Sequence, residues 1–195
     1  MITGIDLVKE QIKVARGEKL GFQQEDLAIR GHAVELRVYA EDPMNNFLPD
    51  IGKLVDYCKP EGPGIRVDDG FEAGMDIPIY YDPMLAKLVA YGKDRTEAIA
   101  RMLRAISEYK IAGVKNTLPF GAFVMTHPDF VNGTFDTHFV AKHFKPEYLK
   151  KETEDEMEIA ALLAAHVFEN KQRPKKANNQ SAPDSRSNWE RNRRA

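Results

Sequence analysis

Cysteine is nearly absent from this chain. Cys58 stands alone among 195 residues. That excludes an intramolecular disulfide framework and fits a reducing compartment, with the cytoplasm as the expected location. Long apolar runs are missing too: none approaches the roughly 20 residues needed to cross a bilayer, so no membrane span is expected. The opening residues, Met1-Ile-Thr-Gly-Ile-Asp6, lack the basic segment and apolar stretch of a secretory leader. There is no Gly-x-x-x-x-Gly-Lys-Ser/Thr loop and no Gly-x-Gly-x-x-Gly following a strand, which leaves no phosphate cradle of either kind. Gly62-Pro63-Gly64 reads as a turn, because proline removes an amide that a phosphate nest would use. Five histidines, His32, His127, His138, His143 and His166, show no metal-ligand spacing. His138 and His143, five apart, would diverge on a helix, and no metal site is expected. Cys58 has no motif partner and is expected to serve packing.

Charge of one sign is scarce only locally. The net charge is −2, yet residues 171–195 carry eight Lys/Arg and two acids, leaving −8 on residues 1–170. A basic end on an acidic body suits a solvated tail, a contact with the body or a nucleic-acid contact. Only Trp189 interrupts that tail with an aromatic ring, so base stacking has little support. From about residue 172 onward Pro, Asn, Ser and Arg dominate and no structure is expected.

What is present reads as an α+β protein. Thr3 and Asp6 have capping-box spacing ahead of a helix with Ile5, Val8, Ile12 and Ala15 on one face, ended by Gly17. A folded element so near residue 1 suggests a piece of something longer. Residues 20–58 read as strands and turns, and residues 59–83 as turns, given their many Gly and Pro. Met84–Tyr91 reads as a buried strand closed by Gly92. Asp94-Arg-Thr-Glu97 then caps a helix bearing Ala98, Ile99, Met102, Leu103 and Ile106 on one face. Asn116-Thr-Leu-Pro119 starts a short helix through Met125, and Phe135–Phe144 suggests another. Thr153-Glu-Asp-Glu156 caps a last amphipathic helix with Ile159, Leu162, Leu163 and Val167. Strands followed by helices favour α+β over a βαβ repeat. The expected organisation is a folded domain over 1–149, an amphipathic helix over 150–171 and a disordered basic tail over 172–195.

The most informative stretch is Arg30-Gly-His-Ala-Val-Glu-Leu-Arg-Val-Tyr-Ala-Glu-Asp-Pro43. Strand alternation points His32, Val34, Leu36 and Val38 one way, and Ala33, Glu35, Arg37 and Tyr39 the other. Glu35 and Arg37, two apart on one face, make either a surface ion pair or a guanidinium held for an anion. Spacing alone leaves both readings open. Asp82, before Pro83 at the mouth of the next strand, is either a turn cap or a site carboxylate. Lys87 within that strand either snorkels or pairs.

This stretch, together with Phe47-Leu-Pro49, Gly52-Lys53, Gly62-Pro-Gly-Ile-Arg66, Tyr80-Tyr-Asp82, Lys87-Leu88, Tyr91-Gly92, Ala98-Ile-Ala-Arg-Met102 and Gly113-Val-Lys115, resembles the C-terminal region of biotin carboxylase. The likeness runs from residue 1 to about 149. It implies an antiparallel or mixed sheet with flanking helices in an ATP-grasp ligase. Such enzymes use ATP, Mg2+ and bicarbonate to carboxylate biotin on a carrier. They serve acetyl-CoA carboxylase, and so fatty acid synthesis, as well as propionyl-CoA and pyruvate carboxylases. The resemblance places Arg37 on the arginine that contacts biotin and stabilises its ureido oxyanion, with Glu35 orienting it and Asp82 supporting it. It places Arg66 on a dimer-contact arginine, and Thr137 and His138 beside the nucleotide. A bacterial form has isoleucine where this chain has Thr137. The implied partners are a biotin carboxyl carrier protein, since no biotin-accepting Met-Lys-Met site occurs here, a carboxyltransferase subunit and a second copy of the chain. No membrane partner and no nucleic acid is expected. The glycine-rich lid, the phosphate-binding lysines, the magnesium carboxylates and the bicarbonate segment would precede residue 1. The chain alone is therefore expected to be inactive. The alternative is a non-catalytic interaction or dimerisation remnant of the same family.

Overall fold

A computed structural model describes residues 1–78, 80–149, 159 and 161–166. The chain divides into two units, Met1–Lys150 and Lys151–Ala195. Within the second, residues 161–166 are helical. The expected cap at Thr153 and the basic tail lie outside the described residues.

Three antiparallel strands make the main sheet of the first unit, in the order β1 (His32–Tyr39), β6 (Met84–Gly92), β5 (Ile65–Asp69). Two small ladders accompany it: β2 (Glu41–Asp42) with β3 (Leu48–Pro49), and β4 (Asp56–Cys58) with β7 (Lys110–Ala112). The fold is α+β, with helices against one sheet face. Alternation decides which face. Val34 and Val38 of β1 and Ala86, Leu88 and Ala90 of β6 are buried, whereas Glu35 and Arg37 are exposed. β6 is buried on its inner face and at Leu85, where the register shifts, whereas Lys87, Val89 and Tyr91 on its other face are half-buried.

Helix α2 (Arg95–Glu108) covers the inner face. Asp94 caps it, accepting from Glu97 N at 2.8 Å. Its buried stripe, Ala98, Ile99, Met102 and Ala105, falls at helical spacing. The small alanines on strand and helix bring the backbones close, and a Cβ on Gly92 would reach Ala98 N at 2.5 Å. Helix α3 (Leu118–Thr126) begins with Pro119 in its first turn and lies against α2 and β1, with Gly121 seated on Leu36.

Several expectations are corrected. Helix α1 (Leu7–Ala15) is capped by Asp6, whose Oδ1 accepts from Lys9 N at 3.1 Å. Thr3 only reaches Ile5 N, at 3.4 Å. The helix ends as expected at Gly17, through Glu18 N to Lys13 O at 3.0 Å. Its apolar side finds no core, for no residue of α1 is buried. The Gly/Pro-rich segment 59–83 contains β5, where Ile65 and Val67 turn towards the core between turn residues. β7 is too short for alternation to register. Cys58, on β4, is exposed rather than packed. The helix expected at Phe135–Phe144 is α5 (Phe139–His143), preceded by an unexpected α4 (Pro128–Asn132) that Gly133 closes at φ 74°. No described helix is long and apolar enough to cross a membrane.

Candidate functional site

The outward sheet face presents charge in rows. The ladder sets Glu35 beside Val89 and Arg66, and Arg37 beside Lys87 and Asp68. Arg37 Nε lies 3.6 Å from Glu35 Oε1, and their side chains are 58% and 47% exposed. A hydrogen bond with Tyr39 and the Glu35 carboxylate hold the guanidinium above its ordinary pKa, so it is a permanent cation. Arg66 pairs with Asp68 at 2.8 Å on the outer strand, likewise exposed. Beside Glu35, a shallow open depression of about 320 Å³ is lined by Ile2, Ala33, Arg66, Asp68 and Val89. Lys87 stands between Arg37 and Asp68 on adjacent strands, half-buried by its stem.

The backbone under Arg37 is pinned. β1 is an edge strand, and its register shifts between Val38 and Tyr39. Thr117, the buried polar side chain just before α3, accepts from Tyr39 N at 3.0 Å and donates to Arg37 O at 3.3 Å. Thr117 N also donates to Tyr39 O at 3.1 Å. The free edge beneath the guanidinium is thereby satisfied instead of left open. Sequence reading placed Thr117 only among cap residues; a contact 80 positions away leaves no local signal.

Asp82 lies at the end of the same two strands. Its Oδ1 accepts from Met84 N at 3.0 Å, the turn-cap role, and its charge adds to burial in raising the Glu41 carboxyl above the usual range. Among the described residues no ion pair joins Asp82 to Arg37. The loop leaving β2 carries Asn46 and Phe47, both left-handed at φ 52° and 56°. That strain is held by the Phe47 ring, stacked edge-on to Phe120 at 5.0 Å and near Phe144 at 5.6 Å.

Thr137 and His138 sit elsewhere, exposed at the start of α5. Asp136 organises that turn: it accepts from His138 N at 2.8 Å and pairs with Lys142, which together hold its carboxyl below the ordinary value, Lys142 contributing most. Among the described residues no hydrogen bond or ion pair joins this segment to the Arg37 face.

An exposed arginine beside an acid, on a rigid strand, can bind or stabilise an anion. Magnesium finds no matching oxygen cluster: among the described residues the grouping of three potential ligands is His127, Asp129 and His143, two of them nitrogen donors.

Comparison with known proteins places the chain in a family. The family model for the biotin carboxylase C-terminal domain matches residues 35–142. The chain belongs to that family. It is 50% identical over 140 residues to biotin carboxylase 1 of Bacillus subtilis, covering 72% of this chain and 31% of the relative. It is 48% identical over 165 residues to the mouse mitochondrial propionyl-CoA carboxylase alpha chain, covering 84% and 23%. Among solved structures it is similar to the biotin carboxylase domain dimer of Hydrogenobacter thermophilus 2-oxoglutarate carboxylase, in complex with MgADP, ADP and bicarbonate. There the TM-score is 0.74 at 40% identity, over 78% of this chain and 33% of that one. The chain thus spans about a third or less of the length of these relatives.

Proposed function

We propose that this chain is the C-terminal part of a biotin carboxylase and contributes Arg37 to the ATP- and bicarbonate-dependent carboxylation of carrier-bound biotin. The observation that carries this reading is the Arg37 guanidinium, held outward beside Glu35 at 3.6 Å on a strand edge pinned by Thr117. Biotin, presented by its carrier, supplies the ureido nitrogen that receives the carboxyl group. Arg37 offers fixed, always-protonated donors where negative charge collects on the ureido oxygen, and Glu35 limits the directions in which the guanidinium points. Asp82 supports that end of the strand pair from its turn. Thr137 and His138 border the nucleotide, and Arg66 lies at the contact between two copies. ATP and Mg2+ are held by residues outside this chain, so the chain alone does not turn over ATP. Its setting is the cytoplasm. The acceptor, whether pyruvate, propionyl-CoA or, for fatty acid synthesis, acetyl-CoA, is chosen by the carboxyltransferase partner.

The test joins this chain to the rest of a biotin carboxylase and replaces Arg37 with alanine. Biotin carboxylation should fall about 10²–10³-fold, the order seen for loss of one oxyanion donor, with the thermal midpoint unchanged. An equal fall from Arg16→Ala would overturn the choice of residue. Bicarbonate-dependent, biotin-stimulated ATPase activity of the isolated chain would overturn its dependence on the rest of the enzyme.

A second reading is a non-catalytic interaction piece. It is favoured by the apolar residues that α1 leaves in solvent, with Leu7 and Val8 68% and 64% exposed. Self-association measured by light scattering, together with failure to restore activity to the remainder of the enzyme, would decide for it.

A further inference from the structure

His127, Asp129 and His143 come together although the last two are 14 positions apart in sequence. Their ligand atoms all lie within 4.8 Å of one another, and all three residues are partly buried. The geometry points to a binding site for a zinc-class transition-metal dication, held by the two imidazoles and one carboxylate and separate from the Arg37 face.

Local structure brings the three groups together. His127 caps α4, its Nδ1 accepting from Asp129 N at 3.2 Å, which places Asp129 in the helix's first turn. His143 is the last residue of α5. Its Nε2 stands 3.1 Å from Asp129 Oδ2. Two ligands bound to one zinc at about 2.0–2.2 Å each, at angles from about 90° to the tetrahedral value, lie about 2.8–3.6 Å apart. The His143–Asp129 edge already has that separation. His127 closes the third corner by giving up its contact with Asp129 N, a weak bond at that length.

The surroundings limit the alternatives open to these side chains. The His127 and His143 rings are 4.6 Å apart, and Phe139 packs on both, at 4.9 and 5.1 Å. Phe123 lies 5.9 Å from His127. The rings thus form an apolar wall that fixes imidazole orientation and lowers the local dielectric. Arg95 does not neutralise the site's acid; its donors go to His32 Nε2 and to the carbonyls of Phe130 and Val131 at the other end of α4. Two nitrogen ligands and one oxygen suit zinc and its neighbours over magnesium or calcium, and three protein ligands leave a fourth position open.

The test uses the full chain with Cys58→Ser, which removes the exposed thiol as a competing ligand. Titration calorimetry with zinc chloride in a non-coordinating buffer should show one saturable site per chain, and cobalt(II) should give the intense visible bands of a tetrahedral complex. His143→Gln and Asp129→Asn should each weaken zinc binding by about tenfold or more, while circular dichroism without metal is unchanged. On the unsubstituted side chains, zinc should shift the imidazole proton resonances of His127 and His143 and leave those of His32 in place. That reading stands even if a variant fails to fold. Absence of a saturable site, affinity retained in both variants, or unshifted His127 and His143 resonances would overturn the assignment.

Discussion

Thr117 holds Arg37 by its backbone. One hydroxyl accepts from Tyr39 N at 3.0 Å and donates to Arg37 O at 3.3 Å, spanning the register shift of the edge strand. The position of the guanidinium is therefore set from beneath, by a residue that never touches it. Replacing Thr117 with valine keeps the shape and leaves the Tyr39 amide without that partner. Stability should fall by about 1–3 kcal/mol, read by urea unfolding, while serine should restore most of the loss. Equal losses from valine and serine would mean that the methyl group matters instead of the hydroxyl.

Gly113 and Gly70 should respond in opposite ways to alanine. Gly113 has φ 103°, and a Cβ there would meet Lys53 O at 2.0 Å, whereas Gly70 has open space and no positive φ. Gly113→Ala should cost at least about 3 kcal/mol. Gly70→Ala should stay within about 0.5 kcal/mol of the parent. Denaturant midpoints measure both, and similar values would refute the close approach of the segment before β4 to the end of β7.

Alkaline pH should unfold the protein through a tyrosine pair. The Tyr57 and Tyr109 hydroxyls are 2.6 Å apart across the β4–β7 ladder. Burial, foremost, pushes Tyr57 up from 10.0 to about 12, and Tyr109 is raised as well, by burial and by Tyr57. Because the folded state holds these protons more tightly than the unfolded one, their contribution is complete below pH about 10. It is lost as pH rises through about 12. Tyrosinate absorbance and ellipticity followed together should show two late-titrating tyrosines whose ionisation accompanies unfolding. Tyr57→Phe should make stability less steeply dependent on pH in that range. Ionisation of all tyrosines near their ordinary value in a still-folded chain would contradict the burial.

Met102 should be a large contributor to the core. It is fully buried at the centre of the α2 stripe. Met102→Ala should cost about 2–5 kcal/mol through lost contacts and a residual cavity, measured by thermal or urea unfolding. A loss below about 1 kcal/mol, roughly that of a surface change, would mean that α2 does not seal the sheet.

Some of this was legible in the residues. Strand alternation predicted which side chains of β1 face the core and which carry charge, since a period of two leaves no choice once one face is apolar. Asp94 and the stripe after it marked α2, because capping and helical spacing are local properties. Other features were hidden for an equally physical reason. β5 lies among Gly and Pro, and β7 is three residues long, so each is a strand only because a partner supplies hydrogen bonds. The apolar side of α1 was visible, but nothing in its spacing said that it would remain uncovered.

The amino-acid order by itself determined the family, the inward and outward faces of β1, and Arg37 beside Glu35, because these follow from periodicity and from motifs read along the chain. Tertiary structure alone decided that Thr117 underpins Arg37, that Glu35 shares a sheet rung with Arg66, and that His127 and His143 converge on Asp129. Contacts between distant positions are set by how elements pack, and packing depends on all of the buried surface at once, so no local pattern encodes them.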